Sequence, residues 1–322
     1  MRKIALIGAG SHSEHVHGPS LARYAKEHPG EIALAAVCDL RPERADLFSQ
    51  EFGFARAYTD AQAMLDEVQP DACWVVVPIE LTRRLAGQVM ERSIPTFFEK
   101  PPGKNLREAQ ELARISERTG VPNMVAFNRR WAPCTRKALA WAEAHGPFEY
   151  LYARMLRAQR RDEQFAFGTG IHLLDCVRAL AEAAMGGVRA AHTARVEPSG
   201  GILNFHVDLD FGGGARGRCD ILPTCGLVDE TYALFGRDCT IAFTLPREVA
   251  DGRAELWVNG KRVDSEIWPV EPGFINSGFY GEAVEFLSAL RDGRRPSPSP
   301  QEAVDSVALA EAVQEGRAIP FQ

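Results

Sequence analysis

Up to residue 123 brief apolar runs alternate with stretches of helical period, whereas beyond residue 145 extended runs follow one another directly, and this switch constrains the fold more than any other feature. The runs at 4–7, 34–38, 72–77, 96–98 and 124–127 are short and rich in apolar residues, as strands covered on both faces are. Helical segments at 42–52, 61–66, 81–91 and 106–119 lie between them. Strand and helix in alternation predict a doubly wound parallel sheet, an α/β architecture.

The second half reads as α+β. After a helix at 133–144, residues 149–157, 202–211, 214–222, 228–235, 240–245 and 254–258 all look extended, and Asn259-Gly260 is a strong hairpin turn. Strands in succession predict a large, open, mainly antiparallel sheet. Leu203, Phe205, Val207, Leu209 and Phe211 alternate with Asn204, His206, Asp208 and Asp210, which gives that strand one dry face and one polar face. Helices are expected at 280–292 and 301–315, separated by the loop RRPSPSP. The chain is therefore expected to divide into domains at 1–123 and 124–322, within the size range of ordinary domains.

Composition removes several classes of function. Lys plus Arg number 37 against 43 Asp plus Glu, a net charge of -6, so there is no cationic excess to neutralise a nucleic-acid backbone. No run approaches the roughly 18 apolar residues of a membrane span. The apolar start at 4–7 runs into Gly8 without a cleavage pattern, which reads as a first strand in the cytoplasm. Seven scattered cysteines without a C-x-x-C pair are expected to be reduced and mostly buried.

In KIALIGAGSHS, Gly8 and Gly10 stand at the end of the first strand, where they permit a tight turn and close approach of backbone to a pyrophosphate. Ser13 occupies the third small-residue position. The second strand, LAAVCD, ends in Asp39, whose carboxylate can accept hydrogen bonds from ribose hydroxyls; the insertion YAKEHPGE accounts for its distance from the glycines. Asp39 would repel a 2′-phosphate, favouring NAD, while Arg41 and Arg44 leave NADP open. His12, His15 and His17 follow at once, but no cysteine or acidic ligand set accompanies them, so no metal site is expected.

Glu99-Lys100-Pro101 in TFFEKPPGKN, the segment VAFNRRWAP, the segment GIHLLD and the closing FYGEAVEFLSALRDGRRPSPSPQEAV together resemble the glucose-fructose oxidoreductase and inositol dehydrogenase family (Gfo/Idh/MocA) over nearly the whole chain. The resemblance implies a Rossmann domain followed by a substrate-binding and oligomerisation domain with an open sheet. It also implies NAD(P)-dependent hydride transfer with a hydroxyl or carbonyl of a sugar, polyol or similar small molecule. Lys100 and His172 would exchange the proton. Gly8, Gly10, Ser11, His12, Asp39, Arg41, Pro78, Glu99 and Lys100 would hold the cofactor, and Pro101 is expected to follow a cis peptide. Asn128, Arg130, Trp131 and His172 would meet substrate, with one of Arg129 and Arg130 kept for a salt bridge.

Two departures stand out. Gly168 replaces an Asp found in the inositol dehydrogenase type four residues before the histidine, and Ile79 and Thr82 stand where Asn and His are common. Asp175 is expected to be structural. A non-catalytic NAD(P)-binding protein of the same fold and a redox-assisted glycosidase remain alternatives. The open sheet suggests a homodimer or homotetramer.

Overall fold

Six short strands build the first sheet of the protein, which is described by a computed structural model over residues 1–197, 200–247 and 250–321. They are β1 (Arg2–Ile7), β2 (Ile32–Cys38), β3 (Ala57–Tyr58), β4 (Ala72–Val75), β5 (Thr96–Glu99) and β6 (Asn123–Ala126). All pairings are parallel and the order is β3-β2-β1-β4-β5-β6, so the direction of winding reverses between β1 and β4. This is the order of a dinucleotide-binding sheet, and such a reversal opens a crevice at the carboxyl ends of the strands. Every residue of β4, β5 and β6 is buried, which explains the absence of polar alternation in their sequences.

The helices Pro42–Phe52 and Leu106–Thr119 have the expected bounds. A helix follows the glycines, opening as a π-helical turn, Ser13–His17, that runs into Gly18–Glu27.

The first unit comprises Met1–Phe127 and Phe279–Asp305, the second Asn128–Gly278 and Ser306–Gln322. The cut expected at 123/124 thus falls inside β6, which pairs with β5 from Thr96↔Asn123 to Glu99↔Ala126. The helix Phe279–Asp292, expected in the second domain, belongs to the first unit because its apolar face has a partner there. Phe286 is fully buried, edge-on to Trp74 at 5.1 Å between ring centroids, and Trp74 stacks on Phe97 at 5.1 Å. Burying a phenylalanine contributes about 1.5–3 kcal/mol, enough to fix the helix against that sheet.

In the second unit the strands are β7 (Phe148–Leu156), β8 (Val188–Val196), β9 (Asn204–Phe211), β10 (Arg216–Leu222), β11 (Asp229–Gly236), β12 (Cys239–Thr244), β13 (Gly252–Val258), β14 (Lys261–Trp268) and β15 (Ile319–Pro320). They form one sheet in the order β14-β13-β12-β11-β7-β10-β9-β8-β15. It is antiparallel except at its centre, where β7 and β10 run parallel. The helix Pro133–His145 packs on β12 and β13, and Ile171–Ala184 packs on β7. Asn259 (φ 51) and Gly260 (φ 73) make the anticipated turn between β13 and β14. β14 itself was missed because it is exposed along nearly its whole length and carries no dry face to read. None of the seven cysteines is bridged; six are buried and Cys225 is half-buried. Among the described residues no helix is long and apolar enough to cross a membrane.

Candidate active site

Chemistry-bearing residues gather where the strands of the first sheet end. Gly8 follows β1 with φ +102, and a Cβ there would lie 2.0 Å from the Val76 carbonyl oxygen, so no other residue fits. Asp39 follows β2. Its Oδ2 accepts the Ala9 N–H and its Oδ1 the Arg41 N–H, each at 3.0 Å, which ties the end of β2 to the glycine turn. Gly8, Gly10, Asp39, Arg41, Arg44 and Pro78 are among the residues lining a cleft of about 460 Å³. A Cβ on Gly10 would meet only Arg44 Nη1, at 3.9 Å, so the turn presents bare backbone beside a guanidinium. A glycine turn, a carboxylate at the ribose position and a cleft of this size suit a dinucleotide. Five of the expected cofactor residues thus come together; Ser11, His12, Glu99 and Lys100 are not among those lining the cleft. Ser11 is instead in contact with His15, Oγ to Nδ1 at 3.2 Å.

Glu99 ends β5 and is buried. Its Oε1 accepts from Nε2 of His12 at 3.0 Å and of His17 at 2.8 Å, and its Oε2 accepts the Lys100 N–H at 3.1 Å. Burial alone would raise this carboxyl, but the charge of His12 and the hydrogen bonds from His12 and His17 hold it well below the usual carboxylate range. Burial pushes the enclosed His17 imidazole down, against the pull of Glu99. A neutral His17 protonated on Nε2 fits both facts, because it leaves Nδ1, which has no partner among the described residues, as a bare lone pair rather than a stranded N–H. The premise that no acidic ligand accompanies the histidines is corrected here. Glu99 supplies one, and the ligand atoms of His12, His17 and Glu99 lie within 4.8 Å of one another. Lys100 is half-buried and the Lys100-Pro101 peptide is cis, as anticipated.

In the second unit Asn128–Trp131 forms a 3₁₀ turn. Asn128 Nδ2 donates to the Ser277 carbonyl at 2.7 Å, and its Oδ1 accepts from Arg129 Nη1 at 2.9 Å. Arg129 Nε reaches Glu230 at 3.3 Å. Arg130 grips Asp175 through Nε and Nη2, both at 2.7 Å. Both arginines therefore serve buried carboxylates of their own unit, where an unpaired charge would be costly. Asp175 also accepts from Ser306 Oγ at 2.7 Å, the structural role foreseen for it. The Trp131 ring lies under the Arg136 guanidinium at 5.1 Å. His172 is buried near the start of its helix. A Cβ at Gly168 would meet nothing within 4 Å, so crowding does not explain the lack of a carboxylate there.

One cluster escaped the sequence reading altogether. Glu230, fully buried in β11, accepts from Arg157 Nη2 at 2.5 Å, from Arg129, from Arg247 Nη2 and from the Tyr232 hydroxyl at 2.8 Å. Burial would raise its carboxyl, but the charges of Arg129, Arg247 and Arg157 hold it well below the usual range. The available signal was that Glu230 stands in phase with Tyr232 and Leu234 on the buried face of its strand.

A reversing parallel sheet with this turn and carboxylate defines a nucleotide-binding protein of the Rossmann class. A family model described as "Oxidoreductase family, NAD-binding Rossmann fold" matches residues 2–127. D-Apiose dehydrogenase of Paraburkholderia graminis is 31% identical over 99% of this chain and 90% of its own. D-Glucoside 3-dehydrogenase of Escherichia coli is 29% identical over 49% of this chain and 44% of its own, so that match spans less than half of the relative. A dehydrogenase structure from Chromobacterium violaceum has the same fold, with a TM-score of 0.84 at 19% identity over 98% of this chain and 95% of that one. The chain belongs to the Gfo/Idh/MocA family of oxidoreductases.

Proposed function

We propose that the chain is a dehydrogenase that uses NAD in preference to NADP to oxidise a hydroxyl of a sugar, polyol or related small molecule, or to reduce the matching carbonyl. The observation that carries this reading is the cleft at the ends of β1, β2 and β4, with Lys100 directly after β5 of the same sheet. A bound nicotinamide supplies the hydride acceptor. Gly8 and Gly10 let backbone approach the pyrophosphate, Asp39 accepts the ribose hydroxyls and Pro78 lines the cleft. In the oxidative direction the substrate O–H proton passes to Lys100 Nζ, in its free-amine form, as hydride leaves the carbinol carbon. His172 assists that transfer. Glu99, bonded to the Lys100 N–H, positions the lysine rather than reacting.

Fluorescence titration with NADH and NADPH tests the cofactor half of the proposal; tighter NADH binding is expected, and binding of neither by the folded protein ends the enzyme reading. Lys100→Met is expected to keep NADH binding and lose about 10²-fold or more in kcat. A variant that turns over like wild type removes Lys100 from the chemistry.

A cytoplasmic location, suggested by seven unbridged cysteines, belongs to the same proposal. So does a homodimer or homotetramer. Tyr150, Phe235 and Trp257 lie in one register row across β7, β11, β12 and β13 and are each more than a third exposed, an apolar stripe that a second copy could cover. Light scattering that finds only monomer removes that part.

A further inference from the structure

The Glu230 cluster is overcharged. One buried carboxylate is met by three guanidiniums, those of Arg129, Arg157 and Arg247, whose side chains are only 8%, 10% and 17% exposed. A closed structural ion pair needs one cation per carboxylate, and packing several like charges beside it carries a repulsive cost. The cost is visible at Arg247, where burial and the neighbouring Arg129 and Arg157 outweigh Glu230 and bring the guanidinium down to about 10. Its Nε is buried with no partner among the described residues. Arg157 Nη1 is satisfied by the Leu156 and Asp229 carbonyls and Arg129 Nη1 by Asn128, so the unmet donor of the cluster among the described residues is on Arg247, and an anion is the group that satisfies it.

The cluster also borders a cavity. Arg157, Arg160, Arg247, Glu271 and Ser277 are among the residues lining a pocket of about 480 Å³ that lies wholly within the second unit. Arg160 pairs with Asp162 at 2.7 Å, and the Glu271 carboxylate accepts the Gly273 N–H at 2.8 Å. Arg154, nearby on β7, is neutralised by Asp229 at 2.7 Å. With Arg129 behind the pocket wall, four guanidiniums stand against the three carboxylates of Glu230, Asp162 and Glu271, one positive charge in excess among the described residues. The pocket adjoins two residues expected at the substrate site. Ser277 accepts from Asn128, and Arg160 Nη2 donates at 3.2 Å to Thr169 Oγ1, three positions before His172.

The geometry points to an anion-binding pocket: Arg157, Arg160 and Arg247 receive a carboxylate or phosphate group carried by a small polyhydroxylated molecule. Taken with the dehydrogenase reading, on which this last step rests, the substrate is an acidic sugar derivative rather than a neutral sugar. Planar guanidiniums match the paired oxygens of either group, and the pocket has room for a molecule of that size.

Calorimetric titration of the full chain without cofactor tests the inference, using D-gluconate, D-glucose 6-phosphate and D-glucose as probes. One or both anions should bind at least about tenfold more tightly than glucose, the size of one charged hydrogen bond, and the preference should shrink as salt is raised. Whichever anion binds more tightly identifies the group. Arg247→Gln should lose about tenfold for the anion and Arg247→Lys less. Arg160→Gln, at a half-buried position outside the Glu230 cluster, should weaken anion binding in the same sense. Equal binding of glucose and both anions, or anion binding unchanged in folded Arg160→Gln and Arg247→Gln, overturns the inference. Anion binding without turnover of any acid sugar leaves the pocket intact and counts against the dehydrogenase reading alone. Turnover of neutral sugars with no anion preference does the reverse.

Discussion

Glu99 and Glu230 are the same residue type, both buried and both held well below the ordinary carboxylate range, yet they are held by different means. Glu99 is met by two histidines, Glu230 by three arginines and a tyrosine. Arginine keeps its charge throughout the neutral and acid range, whereas histidine changes protonation near neutrality. The difference teaches that burial of a carboxylate does not by itself make a site pH-responsive; the chemistry of its counter-groups does. The Glu99 end of the first sheet should respond to mild acid, and the Glu230 cluster should not.

The largest effect expected from this contrast is at Glu230. Glu230→Gln strands three clustered cations and should cost about 3–5 kcal/mol in urea unfolding. A loss below about 1 kcal/mol would show that the arginines are already neutralised by other groups and would erase the contrast.

A smaller effect follows from His17 and Glu99. Both have folded values below their ordinary ones, so the unfolded chain binds protons first as pH falls. Their contribution is complete above pH 6.5, the ordinary histidine value, declines below it as the unfolded histidine protonates, and falls again below 4.5 as the carboxylate follows. Thermal unfolding of wild type should therefore be flat down to pH 6.5 and fall beyond it. His17→Gln, which keeps an N–H for Glu99 but does not titrate, should fall less between 6.5 and 4.5. An identical decline in the variant would locate the acid sensitivity elsewhere.

The smallest change in stability is expected for Gly168→Asp, within about 0.5 kcal/mol, because a side chain there meets open space. The new carboxylate, one turn before His172, gives that histidine the kind of neighbour His17 already has and should raise its pKa. The histidine-dependent limb of the pH–rate profile should then move to higher pH; an unmoved limb would mean that His172 does not titrate in turnover.

The two halves of the chain differed in how far their sequence could be read. Strands buried on both faces announce themselves as uninterrupted apolar runs, so β1, β2, β4, β5 and β6 were legible, and Gly8 and Asp39 fell at their ends. The helix Phe279–Asp292 was legible as a helix but not as part of the first unit, because the ring contacts of Phe286 with Trp74 and Phe97 join residues 212 and 189 apart in sequence. The Asn128–Trp131 segment was found by its motif, yet the partners of Arg129 and Arg130 were not, since Glu230 and Asp175 come from distant elements. The parallel pairing of β7 with β10 was hidden for the same reason, register being a property of two separated segments.

The Asp39 carboxylate, fixed at both oxygens by the backbone N–H groups of Ala9 and Arg41, has a kinetic and entropic consequence. A side chain that must be captured in one rotamer as a ligand arrives loses about 0.5–1.5 kcal/mol of ordering freedom at that moment. Here the rotamer is already selected by folding, so an arriving ribose meets a preorganised acceptor, and that share of the entropy loss does not subtract from its affinity.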